Sequence, residues 1–118
     1  MVACLTPSEP LRYLPGMDIP EVDTDTAAKH LQAADSLFMD VRDPASFEAS
    51  HIPGAVNVGD LTIHEFMEKT DKQQKIIVYC YHGNMSLGGA EYLLENGFED
   101  VCSMSGGFEA WREQHPQE

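Results

Sequence analysis

The residue best placed to act as a reactive group is a cysteine between a predicted strand and a predicted helix. Cys80 ends the run Lys-Ile-Ile-Val-Tyr-Cys at 75–80 and opens the segment Cys-Tyr-His-Gly-Asn-Met-Ser at 80–86. The first turn of a helix presents free backbone N–H groups and a partial positive charge, and both stabilise an anion. We therefore expect the pKa of this thiol to be lowered, which sets Cys80 up as a nucleophile.

The sequence around Cys80 indicates that backbone groups activate it. No lysine, arginine, aspartate or glutamate occurs in residues 76–90, so ion pairing within the segment cannot stabilise a thiolate. Gly83 and Asn84 tolerate tight backbone, which lets the loop turn its N–H groups inward as an anion-binding nest. His82 is expected either to assist the thiolate or to face solvent. The alternative is that Cys80 is a small buried side chain at a strand end.

Two further segments carry recognisable patterns. Residues 39–58 contain Asp-Val-Arg-Asp-Pro and, later, His-Ile-Pro-Gly-Ala, and residues 103–111 read Ser-Met-Ser-Gly-Gly-Phe-Glu-Ala-Trp. Together with the loop Cys-Tyr-His-Gly-Asn, these segments resemble, in the same order, the three signatures of single-domain rhodaneses, particularly thiosulfate sulfurtransferases of the GlpE type. The resemblance extends from about Val22 to Gln114.

The resemblance implies a fold and a reaction. The fold is the rhodanese-like three-layer α/β fold, with a central five-stranded parallel sheet and helices on both faces. The reaction is a double displacement, in which the Cys80 thiolate takes the outer sulfur of thiosulfate, releases sulfite, and passes the persulfide sulfur to cyanide or a thiol. The loop residues expected to bind the substrate and the persulfide are Tyr81, His82, Gly83, Asn84, Met85 and Ser86.

Residues outside the loop are expected to support it. Arg42 is expected to brace the structure by pairing with a neighbouring acid such as Asp40 or Asp43. His51 is expected to form structural hydrogen bonds in the His-Ile-Pro-Gly turn. Cys102 lies in the predicted strand beside that of the nucleophile, where packing is the expected role. The alternative is a thiol that resolves a persulfide or forms a disulfide.

The chain departs from related patterns at two loop positions. Many sulfurtransferases of this fold carry a basic residue near the fifth loop position, where this chain has Met85. The sulfur donor is therefore either thiosulfate bound by backbone N–H groups or a less charged persulfide. Related phosphatases use Cys-x5-Arg, and the arginine position is Ser86 here, which disfavours phosphate-ester or arsenate chemistry.

Apolar runs alternate with helical patterns along the chain, which is typical of a parallel sheet covered on both faces. Strands are predicted at 19–22, with Pro20 marking an edge strand, and at 37–41, 55–58, 76–79 and 101–104. Helices are predicted from Asp23 or Thr24 to about Ala34, at 45–49, after a cap at Asp60, at 86–95 with Gly97 as its stop, and around Phe108 and Trp111.

Length and charge limit the possible functions. The 118 residues suit a flexible leader at 1–18 followed by one domain at 19–118. The net charge of −13 makes nucleic acid an improbable partner. No segment has the length of a membrane span or the pattern of a secretory signal. Three widely spaced cysteines favour a reducing cytoplasm, and neither a metal nor another cofactor is expected.

Two classes of function remain. The first is a thiosulfate sulfurtransferase that delivers sulfur to cyanide, to small thiols, or to thioredoxin-like or other protein acceptors. The second is a persulfide relay or an interaction module that receives sulfur from a protein donor. An intact nucleophile argues against an inert module but does not separate the enzyme from the relay.

Overall fold

The computed structural model describes residues 18–59, 62–115 and 117. Within this part of the chain, five strands form one sheet and all neighbouring strands run parallel. The strands are β1 (Glu21–Val22), β2 (Leu37–Asp40), β3 (Val56–Asn57), β4 (Ile76–Tyr79) and β5 (Val101–Met104). Their order is β1-β5-β4-β2-β3, which places β4 at the centre. The predicted five-stranded parallel sheet is confirmed.

Helices cover both faces of this sheet. They are α1 (Thr24–Ala33), α2 (Pro44–Ala49), α3 (Ile63–Lys69), α4 (Met85–Glu95) and α5 (Gly107–Trp111). Ala27 of α1 and Trp111 of α5 belong to one core cluster, whereas Phe66 of α3 and Leu93 of α4 belong to another. The architecture is therefore the expected three-layer α/β fold.

The central strand supplies side chains to both core clusters. Ile77 and Tyr79 join the cluster beneath α1 and α5, and Ile76 and Val78 join the cluster beneath α3 and α4. All four side chains are fully buried. This explains why β4 is a continuous apolar run, because both faces of a parallel strand are covered. The residue that follows, Cys80, is consequently held at the end of the most enclosed strand.

The predicted strand limits were too long at the edges of the sheet. β1 begins at Glu21 and β3 contains two residues, while β2 ends one residue before the predicted Val41. The two strands that contain only two residues, β1 and β3, lie at the edges of the sheet, and Pro20 predicted this edge position for β1. The carbonyl of Pro20 still accepts a hydrogen bond of 2.9 Å from the Ser103 N–H, although Pro20 lies outside the assigned strand.

The helix ends follow the predicted capping residues where these are described. Asp23 caps α1 by accepting a hydrogen bond of 2.7 Å from the Thr26 N–H. α4 begins at Met85, one residue before the prediction, and Gly97 follows it with a φ of 93°. The predicted cap at Asp60 lies outside the described residues, as do positions 1–17 of the predicted leader. None of the helices in the described part has the length and apolar character needed to cross a bilayer.

Candidate active site

The Cys80 sulfur lies in a ring of hydrogen-bond donors at the carboxyl end of β4. Its Sγ accepts hydrogen bonds from the backbone N–H groups of Gly83 at 3.2 Å and Ser86 at 3.3 Å. The Ser86 Oγ lies 3.5 Å from the same sulfur. Cys80 is 3% exposed, so these groups replace most of the water that would otherwise solvate a thiolate. The arrangement favours the anionic form of the sulfur.

The two opposing influences on this thiol can be separated. Burial raises the pKa of Cys80, because a charged sulfur loses solvation. Hydrogen bonds from the Ser86 hydroxyl and from the N–H groups of Ser86, Gly83 and His82 lower the pKa. The net pKa is lower than the ordinary thiol value, so the thiolate is populated at lower pH than in a free cysteine.

A buried serine on the neighbouring strand positions the side-chain donor. Ser103 of β5 and Ser86 are both fully buried, and their hydroxyl oxygens lie 2.7 Å apart. Either hydroxyl can donate in this pair, and donation by Ser103 to Ser86 leaves the Ser86 proton free to point at Cys80. Sequence reasoning missed Ser103. The available signal was a polar residue within the apolar strand Val-Cys-Ser-Met.

The start of α5 holds the loop in its inward-facing conformation. The N–H groups of Phe108 and Glu109 donate to the carbonyls of Cys80 at 2.7 Å and Tyr81 at 3.0 Å. Gly107 permits this approach with a φ of 63°, and an added Cβ would lie 2.3 Å from the Tyr81 oxygen. Tying these carbonyls to α5 leaves the loop N–H groups turned toward the sulfur. Sequence reasoning did not identify this role of Gly107.

Gly83 is the position at which the loop itself needs a glycine. Its φ is 98°, a left-handed conformation that residues with a Cβ adopt with strain. This conformation aims the Gly83 N–H at the Cys80 sulfur. The tight turn that the sequence predicted at Gly83 is present.

The remaining predicted loop residues lie at the rim. Tyr81, His82, Asn84 and Met85 are exposed, and Met85 is the most open at 68%. The Tyr81 hydroxyl donates to the Ser46 hydroxyl of α2, which fixes one side of the loop. His82 faces solvent, which corresponds to the second of the two roles considered for it.

Arg42 and Asp40 form a buried brace beneath the loop. The Arg42 Nε donates to both Asp40 oxygens at 3.1 and 3.0 Å, and one terminal nitrogen donates at 2.8 Å. That nitrogen also donates to the Ser50 carbonyl at 2.6 Å. The guanidinium carbon lies 4.3 Å from the centre of the Phe108 ring and 5.1 Å from that of Tyr81. Arg42 therefore connects β2, the turn after α2 and the loop, and its acidic partner is Asp40.

Two other residues considered from the sequence, His51 and Cys102, lie away from the Cys80 sulfur. His51 Nδ1 is 2.7 Å from the Phe47 carbonyl, and its ring stacks on Phe47 with centroids 4.0 Å apart, as a structural residue of this turn would. Cys102 is fully buried and disulfide-bonded, so the expectation that it is a free thiol with a packing role was wrong. In the sheet it pairs with Ile77, three residues before Cys80. Three strand residues correspond to about 10 Å, so this register does not place the two cysteines opposite each other.

Comparison with known proteins agrees with the fold and the order of the motifs. The rhodanese-like domain family matches residues 23–114. The chain is 44% identical over 91 residues to thiosulfate sulfurtransferase GlpE of Pseudomonas syringae pv. syringae, which covers 77% of this chain and 86% of that protein.

Solved structures with the same fold include proteins described in different ways. The Alr3790 protein of Anabaena sp. aligns with a TM-score of 0.75 and 25% identity over 82% of this chain and 79% of its own. A rhodanese-like domain protein of Staphylococcus aureus aligns with a TM-score of 0.69 and 27% identity over 77% and 89%. RPA3614 of Rhodopseudomonas palustris, described as a possible tyrosine phosphatase, gives 0.75 and 26% over 85% of each chain. With most of its length matched in sequence and in fold, the chain belongs to the rhodanese-like domain family.

Proposed function

We propose that this protein is a thiosulfate sulfurtransferase that carries sulfur as a persulfide on Cys80 and delivers it to cyanide or a small thiol. The observation that carries the proposal is the hydrogen-bonded sulfur: Cys80 Sγ is buried and accepts two backbone N–H bonds, with a serine hydroxyl at 3.5 Å. The 44% identity to a thiosulfate sulfurtransferase supports sulfurtransferase activity in this chain.

The first half-reaction uses the lowered pKa of Cys80. The thiolate forms a bond to the outer sulfur of thiosulfate, the sulfur–sulfur bond of thiosulfate breaks, and sulfite leaves with its electron pair. In the second half-reaction, the acceptor bonds to the outer persulfide sulfur, and the electron pair of the broken bond returns to Cys80. No oxidant or reductant is consumed.

The donors around Cys80 supply positive potential without a cationic side chain in the loop itself. Residues 76–90 contain no lysine or arginine, and the chain carries a net charge of −13. Fixed N–H dipoles in a site with little water stabilise developing negative charge more strongly than they would in bulk water. We assign to Gly83 and Ser86 the task of holding the negative charge of the thiolate and then of the persulfide.

The residue at position 86 favours sulfur transfer over phosphate chemistry. A phosphatase of the Cys-x5-Arg type needs a guanidinium there to bind the phosphate through paired hydrogen bonds. This chain has Ser86, whose hydroxyl lies near the sulfur and places no cation at this position. We also propose a cytoplasmic location, since acceptor thiols are kept reduced there.

The test compares the parent protein with Cys80→Ser, in which an oxygen replaces the reactive sulfur. Each protein is incubated with thiosulfate, its intact mass is recorded, and cyanide is added while thiocyanate is measured. One added sulfur on the parent, absent from Cys80→Ser and discharged as thiocyanate, supports the proposal.

Failure to take up sulfur from thiosulfate contradicts the proposal. The same proteins are then offered sulfur by a cysteine desulfurase with cysteine as its substrate. Rapid loading of Cys80 in that assay would replace the thiosulfate enzyme with a persulfide relay. An absence of loading from both donors would favour an interaction module.

A further inference from the structure

An apolar cavity opens beside the active loop, between α3 and α4. Its volume is about 450 Å³, which is within the range of small-molecule sites. The residues that line it within the described part of the chain include no aspartate, glutamate, lysine or arginine. The side chains that give it its apolar character are Met39, Val41, Val58, Ile63, Met85 and Tyr92.

The cavity adjoins the groups that surround the reactive sulfur. Met85 lines the cavity, and the next residue, Ser86, donates its N–H to the Cys80 sulfur at 3.3 Å. Val41 also lines the cavity, and its N–H donates to the carbonyl of Tyr79 at 3.0 Å, one residue before Cys80. The cavity therefore lies beside the loop that holds the sulfur.

Two consecutive glycines in α4 keep the cavity open. Glycine within a helix costs about 1 kcal/mol relative to alanine, so each position calls for a reason. Gly89 has one, since an added Cβ would lie 3.3 Å from a Val78 methyl and 3.5 Å from a Val41 methyl. Gly88 has no such packing constraint, since nothing lies within 4 Å of its added Cβ. A side chain at Gly88 would therefore extend into the cavity that this glycine lines.

Apolar surface remains uncovered at the mouth of the cavity. Met85 is 68% exposed and Tyr92 is 38% exposed. The ring of Tyr92 meets that of His64, another lining residue, edge to face with centroids 6.3 Å apart. Removing such surface from water contributes about 25 cal/mol of favourable free energy per Å². An apolar ligand gains this contribution on binding, whereas a strongly hydrated ligand does not.

We propose that this cavity binds the apolar body of a thiol that accepts sulfur from Cys80 and carries no further charge. The described lining offers no lysine, arginine, aspartate or glutamate to pair with a charged group, and the net charge of −13 disfavours a further anion. The inference rests on the proposed function, because it names the acceptor class of the same site.

The transfer to such an acceptor is balanced. The acceptor's thiolate sulfur bonds to the outer sulfur of the Cys80 persulfide, and the bond between that sulfur and Cys80 breaks. Its electron pair stays on Cys80, so one thiolate is consumed and one is regenerated. The product is the acceptor's persulfide.

The kinetic test compares benzyl mercaptan with 2-mercaptoethanol as acceptors for persulfide-loaded protein. We expect the parent to prefer benzyl mercaptan by about tenfold in second-order discharge rate, because a buried aromatic body adds favourable contacts. Gly88→Leu fills the cavity and should abolish this preference. Gly88→Ala should reduce it in part, and Glu95→Leu, an equal side chain on an exposed part of α4 outside the cavity, should retain it. Equal discharge rates in the parent, or a preference retained in Gly88→Leu, would overturn the inference.

Direct binding separates this inference from the proposed function. Benzyl methyl sulfide has the same apolar body and cannot accept sulfur, so its binding to unloaded protein is measured by calorimetry. Binding by the parent and by Glu95→Leu, weakened at least fivefold in Gly88→Leu, supports the cavity whether or not thiosulfate loads Cys80. An absence of binding to folded parent protein refutes the cavity as a ligand site, even if sulfur loading succeeds.

Discussion

The hydroxyl of Ser103 lies 2.7 Å from the hydroxyl of Ser86, which in turn is 3.5 Å from the Cys80 sulfur. A residue of β5 thus orients a residue at the start of α4 toward the end of β4. The pair is fully buried, so water cannot take the place of either hydroxyl. The charge on Cys80 consequently depends on a contact between residues that are 17 positions apart in the sequence.

Removing the Ser86 hydroxyl is predicted to weaken the thiolate. In Ser86→Ala the sulfur keeps both backbone N–H donors and loses the side-chain one, so the pKa of Cys80 rises. Because a hydrogen bond to a charged group contributes about 1.5 kcal/mol or more, sulfur uptake at pH 7 should fall about tenfold. Stopped-flow measurement of sulfite release checks this. Ser103→Ala should act in the same direction but less strongly, and equal uptake by Ser86→Ala and the parent would contradict the role of Ser86.

The pH dependence of Cys80 reactivity follows from the direction of its pKa shift. Because the folded protein lowers the pKa of Cys80, its thiolate fraction increases over a lower pH range than in a free cysteine. Above that range the thiolate fraction stays constant. Alkylation by iodoacetamide should therefore reach its plateau at lower pH in the folded protein than in the urea-unfolded chain. Reaction of Cys80 is followed by peptide mass spectrometry, and a plateau at the same pH in both states would refute the shift.

Local sequence predicted the elements that depend on local chemistry. The apolar run at 76–79, the cap at Asp23 and the stop at Gly97 were visible because each acts within a few residues. The edge strands were predicted too long, because the apolar pattern continues past the residues that pair regularly with the single neighbouring strand.

The parts of the site that sequence reasoning missed depend on contacts across the fold. Ser103 became part of the site only because β5 pairs with β4 and faces the start of α4. Gly107 lies 27 positions after Cys80, and its need for glycine comes from the Tyr81 carbonyl that approaches it. Neither contact follows a sequence period. Arg42 and Asp40 are two residues apart, and their pairing was one of the two that the sequence predicted, the other being with Asp43.

Breaking the buried ion pair is predicted to destabilise the fold. In Asp40→Ala the Arg42 guanidinium stays buried without its carboxylate, which should lower the free energy of unfolding by about 3 kcal/mol. Asp43→Ala removes an exposed carboxylate that caps α2 through Ser46 and should cost about 1 kcal/mol. Urea unfolding followed by circular dichroism measures both. A smaller loss in Asp40→Ala than in Asp43→Ala would show that the brace does not stabilise the protein.

Adding one methyl group at Gly107 is predicted to disturb the loop. In Gly107→Ala the new Cβ would lie 2.3 Å from the Tyr81 oxygen, so the loop or α5 must move and the donors around Cys80 lose alignment. Sulfur uptake should fall at least tenfold, measured as thiocyanate formation with saturating cyanide. Gly54→Ala is the matched control, since Gly54 also has positive φ, at 79°, but has open space around its Cβ. It should lose about 1 kcal/mol of stability and keep its activity. Equal activity in both variants would contradict the role given to Gly107.

The net negative charge of the chain predicts how the reaction with thiosulfate depends on salt concentration. Thiosulfate is a dianion and approaches a protein of net charge −13, while the site itself offers N–H dipoles that act only at short range. Long-range repulsion is screened when the Debye length falls from about 30 Å at 0.01 M to about 8 Å at 0.15 M salt. The kcat/KM for thiosulfate should therefore rise severalfold as an inert salt such as sodium perchlorate is added over this range. Discharge by benzyl mercaptan should respond less, because the thiolate that reacts carries one negative charge where thiosulfate carries two. A kcat/KM for thiosulfate that falls with salt would mean that local positive potential at the loop outweighs the field of the whole chain.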